Sequence, residues 1–343
     1  MSATQTQMRQ EVLEIPQAAA RLLDNQADAV RAAADALRAR NPGFLVSVAR
    51  GSSDHVATYL KYASELLSGT PIASVGPSIA SVYHRKLNLA GSACLSVSQS
   101  GQSPDIVEMA RMARAGGALS IALTNDPASP LAQVSDHTLY LEAGPELSVA
   151  ATKTFVNSAV VGIWLLAECA QDAALLAAIH GLPDHLEKAV RQDWSQVIDA
   201  LGSRNSLFCL GRGPASAISN EAALKFKETC QLHAESYSSA EVLHGPVSIV
   251  DAGFPVLALC AADEAELALA GVADQIADKG AAVFATTDQV KKATALPTVR
   301  SGHGLTDPIA LIASFYAMVE QVATSRGINP DAPRHLKKVT ETV

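Results

Sequence analysis

Aromatic residues are scarce in this chain, with 7 Phe, 6 Tyr and 2 Trp among 343 residues. The 48% hydrophobic content is carried by Ala, Val and Leu instead. That bias disfavours an all-β sandwich and favours helices packed on buried parallel strands. Cysteine is also sparse. The five, at positions 94, 169, 209, 230 and 260, form neither CxxC nor any metal-ligand spacing, so they read as reduced core thiols. No HxxxH or HxH occurs, and no metal is expected. The net charge is −8 and no basic run stands out, which argues against nucleic-acid binding. Met1–Glu14 lacks an apolar core and a cleavage signature. The longest apolar run, Ala159–Ala167, is far short of the roughly 20 residues of a membrane span. A cytoplasmic setting without membrane attachment is the expectation.

What is present is alternation. After an Ala-rich helical opening (Ala18–Arg38), Phe44–Ala49 reads as a buried strand running into Arg50-Gly-Ser-Ser53 and a helix over 54–67. Strands follow at Ile72–Val75, Ala93–Val97, Leu119–Leu123 and Thr138–Leu141. A helix is predicted over Pro104–Ala115 and a long one over Val149–Cys169. The plan then restarts. Gln171–Trp194 reads as mostly helical, with Gly181-Leu-Pro183 as a linker. Ser206–Leu210 is a second buried strand, running into Gly211-Arg-Gly-Pro214 and a helix to Cys230. Strands at Pro255–Leu259 and Ala282–Ala285 and a closing helix over Asp307–Ser325 complete it. Alternating strands and helices imply doubly wound parallel sheets with helices on both faces. The matching turns at 50–53 and 211–214 suggest a duplication. The expected segments are a helical opening over 1–40, α/β domains over 41–180 and 195–330, and a tail over 331–343.

Two clusters carry chemistry. Ser98-Gln-Ser-Gly-Gln-Ser103 lies where a strand hands over to a helix. Ser103 suits the N-cap, Pro104 the first helical position and Asp105 the positive helix end. Free amides there attract an anion, three hydroxyls add donors, and Gly101 lets the backbone approach closely. The loop holds no Lys or Arg, so hydroxyls and amides are expected to do the binding. A plain capped turn has the same local chemistry. Position favours a ligand, because open α/β sheets bind just beyond the carboxyl ends of their strands. A dinucleotide fingerprint is absent, since neither turn gives GxGxxG.

The second cluster is on a helix. Glu221, Lys225 and Glu228 fall at i, i+4 and i+7, on one face. A solvated ion-pair face is the ordinary reading of such spacing. The apolar neighbours Ala222, Ala223, Leu224, Phe226 and Cys230 leave little of this helix to be solvated. His233, Glu235, Glu241 and His244-Gly-Pro246 follow. A histidine on a tight turn near Glu and Lys is a general acid–base candidate.

Taken in order, Arg50-Gly-Ser-Ser53, Ser98-Gln-Ser-Gly-x-Ser103, Val149-Ala-Ala-Thr-Lys153, Glu221-x-Ala-Leu-Lys-x-Lys-Glu228, His244-Gly-Pro246 and Pro333-Arg-x-Leu-x-Lys-Val-Thr340 carry a resemblance. Over residues 40–343 the chain resembles the isomerase half of glucosamine-fructose-6-phosphate aminotransferase. That family is built from two sugar-isomerase (SIS) domains, usually in a homodimer, and acts on hexose 6-phosphates without a cofactor. The resemblance implies that Ser53, Ser98, Gln99, Ser100 and Ser103 cradle phosphate, and that Ser52 and Val149 line the sugar. It implies Glu228 as the base between C1 and C2, His244 as the ring-opening group reaching from a partner subunit, and Lys225 and Glu221 as their support. Lys338 matches a lysine that forms a Schiff base with a ketose.

Three departures stand out. The chain begins Met1-Ser2, without the cysteine nucleophile of a glutaminase domain. Arg50 precedes Gly-Ser-Ser where the aminotransferase has cysteine before Gly-Thr-Ser. Ala151 and Gln102 replace Ser and Glu. The Ala-Arg-Gly-Ser-Ser form is closer to SIS-type glucosamine-6-phosphate deaminases, and that reaction is the expectation. Other phosphosugar aldose–ketose isomerases and phosphorylated-fructosamine deglycases share the family. A sugar-phosphate sensor is the non-catalytic alternative. Residues 1–40 are short and not basic enough for the DNA-binding domain such regulators carry.

Overall fold

The computed structural model describes residues 5–338. Met1 and Ser2 and the tail residues Val339 and Thr340 lie outside the described residues. In chain order the elements are α1 (Gln7–Leu13), α2 (Ile15–Asn25), α3 (Ala27–Arg40), β1 (Leu45–Val48), α4 (Ser52–Ser68), β2 (Ile72–Ser74) and α5 (Ser78–Ser81). Next come β3 (Ala93–Val97), α6 (Pro104–Ala115), β4 (Leu119–Thr124), α7 (Pro130–Val134), β5 (His137–Tyr140), α8 (Lys153–Ala170) and α9 (Ala173–His180). The second half holds α10 (Leu182–Ala189), α11 (Ser195–Leu201), β6 (Ser206–Gly211), α12 (Pro214–Cys230) and β7 (His233–Ser238). Two 3₁₀ turns (Glu241–His244 and Pro246–Ile249), β8 (Pro255–Ala258), α13 (Glu266–Ala277), β9 (Ala282–Ala285), β10 (Thr294–Ala295) and α14 (Asp307–Ser325) complete it.

These elements form two compact units. One comprises 17–146, 153–180 and 337–338 and carries the first sheet; the other comprises 5–16, 147–152 and 181–336 and carries the second. The first sheet is wholly parallel, in the order β2-β1-β3-β4-β5. Residues of β1, β3 and β4 are buried throughout. Helices cover both faces of such a sheet, so its central strands are near-continuous apolar runs. The chain leaves β1 to one side for β2 and returns to the other for β3. Where the order reverses, adjacent loops diverge and a crevice opens at the carboxyl ends. That point falls between Val48 and Val97.

The second sheet repeats the plan as β10-β9-β8-β6-β7, again all parallel. Its core gathers Phe208, Leu210, Val256, Ile276 and Val283. Helix α14 is buried along almost its whole length, and Phe315 meets Phe226 of α12 edge to face with ring centroids 5.1 Å apart. In the first unit α8 is 18 residues long and apolar enough to cross a membrane by composition, yet 83% of it is buried in the fold. It is a core helix.

Several boundaries differ from the sequence reading. The long helix starts at Lys153, not Val149. Residues 147–152 fold instead with the second unit. There Val149 N–H donates to Asp331 O at 3.2 Å, and the Glu11 carboxylate accepts from Ser148 N–H at 3.2 Å and from the Ser148 hydroxyl. Gly181-Leu-Pro183 lies where the chain passes from one unit to the other, and it is helical rather than loose: Gly181 is the N-cap of α10 and Pro183 sits in its first turn, where a missing N–H costs nothing. His233 and Glu235, which the sequence assigns to no element, lie on strand β7.

Burial pushes the Cys94 and Cys169 thiols up to about 11 and Cys230 and Cys260 up to about 12, so all four stay protonated and poorly nucleophilic near neutrality. Phe315→Ala should lower stability by about 3–5 kcal/mol through the cavity it leaves. Urea denaturation checks this, and a loss under about 1 kcal/mol would contradict the packing described.

Candidate active site

At the reversal point of the first sheet, Arg50, Gly51, Ser53, Ser98, Gln99, Ser100, Ser103 and Lys338 line a cavity of about 320 Å³. Five of the six residues expected to cradle an anion or sugar in this unit are therefore brought together. Ser52, the first residue of α4, does not line it. Ser103 occupies the N-cap position of α6, yet its side chain makes no cap hydrogen bond. The Ser100 hydroxyl, by contrast, accepts from Gln102 N–H at 3.3 Å, so of the loop serines Ser103 is the one whose side chain leaves the backbone unserved.

The loop is braced from beneath. Gly101 N–H donates to the Ser98 hydroxyl and carbonyl, both at 3.2 Å, and Gly101 O accepts from Leu131 N–H at 3.1 Å. Gly101 has φ +62°, and a Cβ there would stand 2.2 Å from Ser129 Oγ. Only glycine meets both the conformation and the space.

Two cations the loop itself lacks stand at this cavity. Arg50 follows β1, and its Nε and Nη2 both bond the buried Asp105 Oδ2, at 2.7 and 2.6 Å. Lys338 Nζ lies 2.8 Å from Oε2 of Glu146, whose side chain is fully buried. Glu146 also accepts from the Thr154 N–H at 3.1 Å and the Thr154 hydroxyl at 2.7 Å. The loop itself carries no cation, but the cavity it lines has two. Sequence spacing gave no warning, because Arg50 and Asp105 are 55 positions apart and Glu146 and Lys338 are 192.

The duplicate crevice of the second sheet is built differently. The turn after β8 runs Cys260-Ala-Ala-Asp-Glu-Ala-Glu266 where the first sheet has its serine loop. Arg300 sits beside that turn, donating through Nη1 to Cys260 O (3.0 Å) and Asp307 (3.3 Å) and through Nη2 to Thr286 O (3.2 Å) and Glu266. An acidic turn around an internal guanidinium repels a phosphate.

The second unit carries the acid–base cluster. Lys225 Nζ lies 3.2 Å from Glu221 Oε1 and bonds Glu228, and the Tyr316 hydroxyl donates to Glu221 Oε1 at 2.9 Å. Glu221 and Lys225 side chains are buried, while Glu228 keeps 22% exposure. This is not a solvated ion-pair face. Burial alone would lower the Lys225 pKa, but the Glu221 and Glu228 carboxylates outweigh it and hold the ammonium above its ordinary value. His244 ends the first 3₁₀ turn, solvent-exposed between the exposed Leu243 and Ile249. Among the described residues no hydrogen bond joins it to the Glu–Lys–Glu group. Among the described residues no cluster of His, Cys, Asp and Glu suited to a metal ion occurs.

A lysine pKa raised by folding adds stability that is fully present below its unfolded value, about 10.4, and is lost only as pH rises through the higher folded value. The Lys225 contribution is therefore constant through neutral pH. Lys225→Met should destabilise by about 3–5 kcal/mol, because it strands a buried carboxylate. Urea titrations at pH 6 and pH 9 should give the same loss; a loss confined to pH 6 would contradict a raised value.

Comparison with known proteins places these features. Residues 40–168 and 200–325 each match the SIS domain model. The glutamine–fructose-6-phosphate aminotransferase (isomerizing) of Sulfolobus acidocaldarius is 31% identical over 307 residues, 87% of this chain and 50% of that protein. The chain thus spans about half the length of the curated relatives it matches. A candidate phosphosugar isomerase from Silicibacter pomeroyi DSS-3 is 64% identical, with a TM-score of 0.93 over 95% of this chain and 100% of that one. A glucosamine-6-phosphate deaminase from Thermotoga maritima shares the fold, with a TM-score of 0.76 at 20% identity over 98% of this chain and 100% of that one.

Proposed function

This chain belongs to the SIS family of phosphosugar isomerases, and we propose that within it the protein is an isomerising deaminase. It converts glucosamine 6-phosphate and water to fructose 6-phosphate and ammonia. The observation that carries the reading is the Glu221–Lys225–Glu228 group, a buried ion cluster whose outer carboxylate alone stays accessible.

Ser53, Ser98, Gln99, Ser100 and Ser103 take the phosphate, with hydroxyls and helix-end amides as donors. Ser52 and Val149 line the sugar. His244 protonates the ring oxygen and opens the ring. Glu228 removes the C2 proton and returns it to C1, turning the C2 amine into an imine. Water adds at C2 and ammonia leaves. Glu228 must accept and give up a proton in one turnover, which general acid–base chemistry asks of a group held at fixed geometry. Lys225, kept charged by its two partners, stabilises negative charge on the enediol-like intermediate, and Glu221 holds Lys225. Lys338 stands ready to meet a carbonyl, with Glu146 as its counter-ion. The working form is a homodimer, because an exposed His244 on a tight turn suits delivery to a second copy. The reaction needs no cofactor, since the C1 carbonyl of the opened sugar takes up the electrons released when C2 loses its proton.

Purified protein given glucosamine 6-phosphate should release ammonia and fructose 6-phosphate in equal amounts, and Glu228→Gln should lower the rate by about 10²–10⁴-fold. Sugar interconversion without ammonia would replace the deaminase with a plain aldose–ketose isomerase. No conversion by the wild type, or full activity in Glu228→Gln, would overturn the reading.

A further inference from the structure

One cation that shares the cavity of the serine loop is neither in the loop nor among the residues assigned to phosphate above. Arg50 leaves the end of β1 with a side chain 45% exposed and lines the same cavity as Ser53, Ser98, Gln99, Ser100 and Ser103. Its orientation is fixed. Nε and Nη2 grip one oxygen of Asp105, whose carboxylate is fully buried. The other oxygen of Asp105 accepts from Ile106 N–H at 2.9 Å, in the first turn of α6. The arginine is therefore tied to the helix whose N-terminus faces the anion, and Nη1 has no hydrogen-bond partner among the described residues.

Asp105 also sharpens the electrostatic problem. A carboxylate in the first turn stabilises α6 through the helix dipole, but next to a bound dianion it repels. Arg50 neutralises it and leaves the amides and hydroxyls free to attract.

We propose that Arg50 is a specificity-determining residue of the phosphate site. Its Asp105-anchored guanidinium gives the site the charge that the serine loop lacks and selects phosphorylated over neutral sugars. This rests on reading the 98–103 loop as a phosphate site. Arg50 touches the ligand, while Asp105 is a positioning residue acting through it.

The test is equilibrium binding of inorganic phosphate and of fructose 6-phosphate by calorimetry, at two salt concentrations. Arg50→Gln should weaken both about 10- to 100-fold, the size of a lost charge-assisted hydrogen bond, and flatten the salt dependence. Arg50→Lys, which keeps the charge but cannot fork across Asp105, should fall between Arg50→Gln and the wild type. It also serves if Arg50→Gln folds poorly. Arg50→Gln combined with Asp105→Asn should recover part of the loss, because the unmasked carboxylate is gone. A merely structural clamp would lower the melting temperature and leave phosphate affinity and its salt dependence alone. Affinities within about twofold of wild type in Arg50→Gln would overturn the proposal. A wild type that binds neither probe would overturn the phosphate reading of the loop beneath it.

Discussion

A parallel sheet must bring the chain back to the same end after every strand, and the side on which it lands decides where a crevice opens. In the first unit that constraint sets everything else. Because β2 and β3 flank β1 on opposite sides, the turns after β1 and β3 are driven apart at one edge. Those two turns carry Arg50, Ser53 and the 98–103 loop. The serines hold no special chemistry alone; they gain it from standing at the mouth of that gap with the start of α6 beneath them.

The duplicated sheet shows how little of the site belongs to the fold. The same strand order recurs in the second sheet, and beside the turn after β8 an arginine again sits among acidic groups. Arg300 is spent on internal partners, two carbonyls and two carboxylates. Arg50 is tied to one carboxylate oxygen only. The Arg300 guanidinium is thus held by internal partners on both of its terminal nitrogens, whereas Arg50 keeps a side chain 45% exposed at its cavity. The second unit contributes instead an ion cluster on α12, where the apolar neighbours that bury Lys225 also force it to keep both carboxylates as partners.

Much of this was legible in the sequence where strong punctuation stood. Ser103-Pro104-Asp105 placed the start of α6, and Gly213-Pro214 that of α12, because cap and proline chemistry is local. Buried central strands announced themselves as apolar runs. Strand β7 did not, since His233-Ala-Glu-Ser-Tyr-Ser238 is polar and mostly half-buried, as the edge of a sheet allows. The i, i+4, i+7 spacing put Glu221, Lys225 and Glu228 on one face, and the surrounding apolar residues correctly implied burial. The anchoring of Arg50 and Lys338 was invisible. Each depends on a carboxylate distant in sequence, and no periodicity relates residues that only tertiary folding brings together. For the same reason residues 149–152 read as the start of a helix, whereas Glu11 and Asp331 tie Leu147, Ser148 and Val149 into a bent segment ahead of it.

The central claim is that Glu228 carries a proton between adjacent carbons of a phosphorylated sugar. Turnover of glucosamine 6-phosphate deuterated at C2, followed by NMR, tests it most directly. Deuterium should leave C2 and be found at C1 of fructose 6-phosphate or in solvent, at a rate that collapses in Glu228→Gln. Ammonia release with deuterium still at C2 would contradict it.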